Sequence, residues 1–238
     1  MKIGIVYVYP TMGGAHDDLA ARFVGSFTKH LPRSAHELYV VSNGGKPSLK
    51  MLETVKTVRC RWIEHDDSGW DIGAYRKAAR EISCDLMVFF GGSAYLRRDG
   101  WFERVEQSFR KHGRAIYGAT GSWSQNRHVR TTGFWLPPSL LNAYPLPTTS
   151  EQSSRYAFEH GPEGLTSWVL GQRLKAWVVT PDSEYEPHRW RDSRTFWWSN
   201  QENLLLSDGR TDQYDNGDLA ARRTLQWYAW GESMKENT

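Results

Sequence analysis

The stretch DSGWDIGAY, residues 67–75, spaces two carboxylates, Asp67 and Asp71, among two glycines, Gly69 and Gly73, between an apolar run and an alanine-rich segment, YRKAAREI. Glycine stands where a backbone must turn tightly or let something approach closely, and α/β folds bind ligands outside the carboxyl ends of their strands. The turn is therefore a candidate site for a polar ligand. Asp71 has a second reading as an opener of the helix that follows, since Asp is favoured at helix starts.

The surrounding pattern supplies the elements that would hold such a site. KIGIVYVY (2–9) reads as a buried first strand, followed by a helix over about 16–30 with Leu19, Phe23, Val24 and Phe27 at helical spacing. ELYVVSN (37–43), a short helix in SLKMLETV, and TVRCRWIEH before the turn continue the alternation. DLMVFF (85–90) is a continuous apolar run, as expected of a central parallel strand buried on both faces. A helix at 100–112 and a strand in RAIYGATG complete a β-α-β-α-β series and predict a mostly parallel sheet with helices on its faces. The second half reads differently. A Ser/Pro/Thr-rich connector at 145–154, a helix near 163–171 and the strand LKAWVV precede HRWRDSRTFWWSNQENLL, a tryptophan-rich lobe closing one face of a site. We take 1–238 as one domain, with 1–125 its ligand-binding α/β half and 126–238 a second half that ends in the C-terminal lobe.

Composition narrows the function. With 30 Lys and Arg against 27 Asp and Glu, the net charge of +3 is too mild to argue for nucleic acid. Cys60 and Cys84 lie within or beside apolar runs without CxxC spacing, which predicts buried free thiols and fits a reducing cytoplasm. The N-terminus does not read as a secretory signal, and with no run of 18 apolar residues the sequence predicts a soluble protein whose only membrane association would be peripheral.

The order of these pieces resembles the GT-A-type glycosyltransferases, specifically sequences related to rhamnan-synthesis and rhamnosyltransferase-like proteins. DSGWDIGAY matches an N-x-G-x-D-x-G-x-Y-like turn, with Asp67 in place of the asparagine. FFGGSAYLRRDGW, YGATGSW, HVRTTGFWL and FEHGPEGLTSWVL continue the likeness over most of residues 1–190. The resemblance implies a Rossmann-type GT-A-like fold and transfer of rhamnose or another hexose from a nucleoside-diphosphate sugar to a glycan, with inversion. It implies donor contacts from Tyr7, Tyr9 and Pro10 at the nucleobase, from Asp67, Gly69, Asp71 and Tyr75 in the turn, and from Gly91, Gly92, Ser93 and Arg130 near the diphosphate. On the acceptor side it places His128 and Trp168, with Glu159 or Glu163 as the base. Its relatives hold Mn2+ or Mg2+ on an Asp-x-Asp after the strand DLMVFF. Here Gly91-Gly92-Ser93 stands in that place, so the expectation is a diphosphate neutralised by arginines, among Arg97, Arg98, Arg127 and Arg130, with His188 suggested as a metal ligand and Asp66, Asp67 and Asp99 the further candidates should a metal be required. Two rivals are a nucleotidyltransferase, weakened because PTMGGAHDD carries no Lys or Arg, and a non-catalytic carbohydrate-binding module using the tryptophans.

Overall fold

The structure is a computed structural model and describes residues 1–232 and 234. Its first half runs β1 (Ile3–Pro10), α1 (Asp17–Lys29), β2 (Glu37–Asn43), α2 (Leu49–Val55), β3 (Cys60–His65), α3 (Trp70–Glu81), β4 (Leu86–Phe90), β5 (Tyr95–Leu96), α4 (Trp101–His112) and β6 (Ala115–Gly118). There follow β7 (Gly121–Ser122), β8 (His128–Val129), β9 (Gly133–Leu136), α5 (Pro138–Ala143), α6 (Gln152–His160), α7 (Leu165–Gly171), β10 (Lys175–Val179) and β11 (Glu184–Tyr185). The chain closes with β12 (Leu206–Ser207), α8 (Gly209–Asp215) and α9 (Leu219–Trp230).

Eight strands form one sheet in the order β11-β10-β6-β9-β4-β1-β2-β3. β4, β1, β2 and β3 are mutually parallel, and so are β6 and β10. β9 enters antiparallel between β4 and β6. The protein is thus an α/β fold around a large, mostly parallel sheet, as the alternation predicted.

The alternation of side chains along β1 explains why its residues are apolar throughout. Val6 and Val8 face a cluster with Ile72, Tyr75 and Ala78 of α3, while Ile5, Tyr7 and Tyr9 face a second one with Phe23 and Phe27 of α1 and Trp101 of α4. Full burial of each large side chain contributes about 1.5–3 kcal/mol. All five residues of β4 are buried, in line with the continuous run that marked it.

The second half differs from its expected shape. It adds β9, β10 and β11 to the same sheet as the first half. The tryptophan-rich stretch, expected as a lobe closing one face of a site, packs in part into the core: Trp190 is fully buried, and Trp197 and Trp198 pack partly buried against the α3-side core. The connector expected through residue 154 gives way to α6 at Gln152. Cys60 and Cys84 are unpaired and half-buried. Among the described residues no helix is long and apolar enough to cross a membrane.

Candidate functional site

A cleft of about 590 Å³ opens beyond the carboxyl ends of β4 and β6, where β9 reverses the strand direction. Its walls come from Ser93 after β4, from His128, Arg130, Thr131 and Thr132 leading into β9, from α6, and from Trp197, Asp208 and Arg210 near α8. A wider, shallow hollow of about 790 Å³ lies along the edge strand β3, lined by Lys46, Lys77, Arg80 and neighbours. Lys77 there is paired with Glu81 at 2.9 Å on the surface. The buried Arg130 and Asp208, with the buried His128, face the first cleft, which is the candidate site.

The turn 67–75 holds its shape for a reason local to the sequence. Gly69 caps α3 in the left-handed region, with φ of 78°. Gly73 lies so close beneath the preceding loop that a Cβ on it would sit 1.9 Å from the Ser68 carbonyl oxygen. Asp71 lies in the first turn of α3 but does not cap it, for its Oδ2 accepts from Arg155 of α6 at 3.2 Å. Burial raises the Asp71 carboxyl above the usual range, with Arg155 opposing that rise and Glu159 adding to it. Tyr75 is fully buried and donates to the Thr131 carbonyl at 3.0 Å, tying α3 to the segment that carries Arg130.

Arg130 and Asp208 form the deepest charge pair, at 2.9 Å with side chains 10% and 2% exposed. The guanidinium also lies over the Phe196 ring, 3.9 Å from its centroid. Asp208 is the N-cap of α8, where its carboxylate accepts from the backbone N–H groups of Arg210 and Thr211 at 2.9 Å each. Burial alone would push its carboxyl up, but Arg130 and the Thr211 N–H outweigh it and hold it below the usual carboxylate range.

Glu159 sits on the last turn of α6. Its Oε1 accepts from the Thr131 N–H at 2.8 Å, and its Oε2 lies 3.7 Å from Nε2 of His160. Burial again raises this carboxyl, yet His128, Arg130 and His160 around it bring it down overall. His128 is buried and shifts the opposite way: burial lowers its proton affinity, and Glu159 pulls it back only in part. Tyr156 and Tyr228, 51% and 60% exposed, stand at the rim as open aromatic faces.

Of the sequence-predicted residues, Ser93, His128, Arg130 and Glu159 line this cleft, and Asp71 reaches its edge through Arg155. Pro10 packs against Gly92, whose added Cβ would meet the proline ring at 2.7 Å. Gly91 bonds through its N–H to the Thr132 carbonyl at 2.9 Å, and Gly69 stands at the start of α3. Tyr7 and Tyr9 are core residues instead of a nucleobase wall. The Tyr7 ring stacks on Phe23 at 3.9 Å and its hydroxyl donates to Gly92, while the Tyr9 hydroxyl donates to Asp17. Asp67 is exposed and accepts from Asn43 outside the cleft. Glu163 and Trp168 line a separate small pocket of about 170 Å³, and the Trp168 ring packs on Tyr144. His188 is exposed beside Glu186 at 3.9 Å, away from the cleft. Arg97 pairs with Asp215, Arg98 donates to the Glu202 carbonyl, and Arg127 lies over Trp123, which leaves Arg130 as the one of the four that faces the site. Among the described residues no group of three His, Cys, Asp or Glu side chains is placed to hold a metal ion.

Sequence reading missed Arg155, His160, Asp208 and Arg210. Asp208-Gly209-Arg210-Thr211 carries a signal that was there to find, a helix-start pattern with a capping box. Nothing local marks Arg155, because its partner Asp71 lies 84 residues away.

No family model matches the chain, and no curated protein matches it. Solved structures show distant likenesses. TarS 1–349 of S. aureus in complex with UDP is 12% identical over 59% of this chain and 48% of its own, with a TM-score of 0.46. The mannosyltransferase PcManGT from Pyrobaculum calidifontis, in complex with GDP-Man and Mn2+, is 10% identical over 66% and 52%, with a TM-score of 0.48. CMP:2-keto-3-deoxy-manno-octonic acid synthetase complexed with CTP is 10% identical over 65% and 83%, with a TM-score of 0.46. The match to TarS spans about half the length of that structure.

Proposed function

We propose that the cleft is the active site of a glycosyltransferase that moves rhamnose or another hexose from a nucleoside-diphosphate sugar to a glycan acceptor, with inversion at the anomeric carbon. The observation that carries this reading is the convergence of two kinds of group on one cleft. Arg130, Arg155 and Arg210 bring guanidiniums to it, and Glu159 with His128 and His160 bring a half-buried carboxylate and two imidazoles. Guanidinium pairs bidentately with phosphate oxygens, so the first set suits a departing diphosphate. The second set suits removal of a proton from an attacking hydroxyl. Tyr156 and Tyr228 offer the flat apolar faces on which sugar C–H groups rest.

In this reading Asp71, held by Arg155, accepts from hydroxyls of the donor ribose or sugar. Of the two carboxylates suggested for the acceptor side, Glu159 lines the cleft and Glu163 lines a separate pocket. Gly91-Gly92-Ser93 offers no carboxylate to a divalent cation, so the diphosphate charge falls to the arginines. Thermal stabilisation and turnover with a panel of UDP-, dTDP- and GDP-sugars, with and without manganese and with EDTA, test the reading. Binding and transfer that persist in EDTA are expected. A protein that ignores every sugar nucleotide is not this enzyme, and release of pyrophosphate from a nucleoside triphosphate would replace glycosyl transfer by nucleotidyl transfer.

A further inference from the structure

The hydrogen bonds around the two histidines leave one ring nitrogen with a free lone pair. Nδ1 of His128 lies 2.8 Å from the Asn126 backbone carbonyl, which can only accept, so that nitrogen carries the proton. A neutral His128 then has its lone pair on Nε2, and Nδ1 of His160, 3.2 Å away, must donate to it. The rings meet edge to face, 4.5 Å between centroids and 85° between planes, and the Asn126 side chain closes the loop by donating to the His160 carbonyl at 2.7 Å. His160 is thereby fixed as the tautomer whose Nε2 is unprotonated and lies among the groups lining the cleft.

We infer that Nε2 of His160 is the base that takes the acceptor proton, with Glu159 and His128 as positioning residues; this assignment rests on the glycosyl-transfer reading. Glu159 is poorly suited to be the base itself. Its Oε1 is committed to the Thr131 N–H, and its charged form is favoured by Arg130. His128 has both ring nitrogens engaged. Oε2 of Glu159, at 3.7 Å from Nε2, lies just beyond a hydrogen bond and is placed to stabilise the imidazolium once the proton arrives. The other groups around His160 are Tyr156 on its own helix, with ring centroids 5.6 Å apart, and Arg130 and Arg210 across the cleft.

The step balances without a co-reactant. The acceptor O–H bond breaks as its proton passes to Nε2, and the oxygen forms the new bond to the anomeric carbon. The bond from that carbon to the diphosphate oxygen breaks, and its electron pair leaves on the nucleoside diphosphate beside the arginines. The imidazolium returns its proton to water.

His160→Gln and Glu159→Gln, compared with the unaltered protein on a sugar nucleotide and glycan that it turns over, decide the assignment. H160Q should lower kcat about 10²–10⁴-fold with donor affinity within about threefold. E159Q should lower kcat less and keep the acid limb of the kcat–pH profile in the imidazole range, about pH 5–8. An H160Q variant that transfers normally, or an acid limb lying below that range and abolished by E159Q, overturns His160 and makes Glu159 the base. Where H160Q does not fold, the limb of the unaltered protein decides by itself. If no sugar nucleotide is turned over at all, the glycosyl-transfer reading falls and takes this assignment with it. Ordinary transfer with an unimpaired H160Q removes only the base.

Discussion

The carboxyl end of β1 and the cleft beyond β4 both place polar side chains in buried positions, yet they differ in what those side chains have left to give. At β1 the hydroxyls of Tyr7 and Tyr9 are spent inside the protein, on the Gly92 carbonyl and on Asp17, and their rings are fully covered. Asp17 in turn accepts from Ser48, the N-cap of α2, so this end fastens β1, α1 and α2 together. In the cleft, Arg130, Glu159 and the histidines also have partners, but their cluster borders open volume and carries charge beyond what a tie requires. A buried polar residue near a strand end is thus a ligand group only when its hydrogen-bonding capacity is not exhausted locally.

The largest expected effect that tests this contrast is on Arg130. Arg130→Met strands the Asp208 carboxylate, 2% exposed, without its cation and should cost about 3–5 kcal/mol of stability by denaturant unfolding. The pH dependence gives the sign. Asp208 and Glu159 have folded pKa values below their unfolded ones, about 3.9 and 4.3, so their contribution is complete above those values. It is lost as pH falls through the depressed folded values. The unaltered protein should therefore lose stability on acidification below about pH 4, and R130M should flatten that loss.

Tyr9→Phe probes the other region. It removes one hydrogen bond from a tie and should cost about 1 kcal/mol in denaturant, with donor affinity unchanged. A clear loss of donor binding would return Tyr9 to the site. Asp71→Asn should do the reverse. It relieves a half-buried charge near Glu159 and leaves thermal stability near that of the unaltered protein, while donor affinity measured by calorimetry weakens by about 1–3 kcal/mol. The smallest effect is expected of Glu163→Gln, whose side chain belongs to another pocket: transfer kinetics should match the parent. A substantial fall in kcat there would move the acceptor side of the site to the α7 face.

The sequence by itself determined the elements. Apolar, β-branched and aromatic runs marked β1, β2 and β4, whose burial leaves little room for polar residues, whereas β3, at the edge of the sheet, keeps Arg61 and Glu64 exposed. The helical spacing of Phe23, Val24 and Phe27 likewise marked α1. It also brought part of the candidate site into view, since Gly69, Asp71 and Gly73 report a constrained turn through their own chemistry, and the family resemblance pointed to Arg130 and Glu159.

Tertiary structure alone decided which of these residues meet. The resemblance gave Tyr7 and Tyr9 to a nucleobase, but Phe23 and Asp17 of α1 take up the ring of the one and the hydroxyl of the other. Glu159 and Glu163 are four residues apart and chemically alike, and only the end of α6 at Gly161 separates the one facing the cleft from the one facing α7. The Asp71–Arg155 and Arg130–Asp208 pairs join residues 84 and 78 positions apart in the chain. Such pairings leave no local periodicity to read. They exist because β9 turns back between β4 and β6 and brings the second half of the chain over the strand ends of the first.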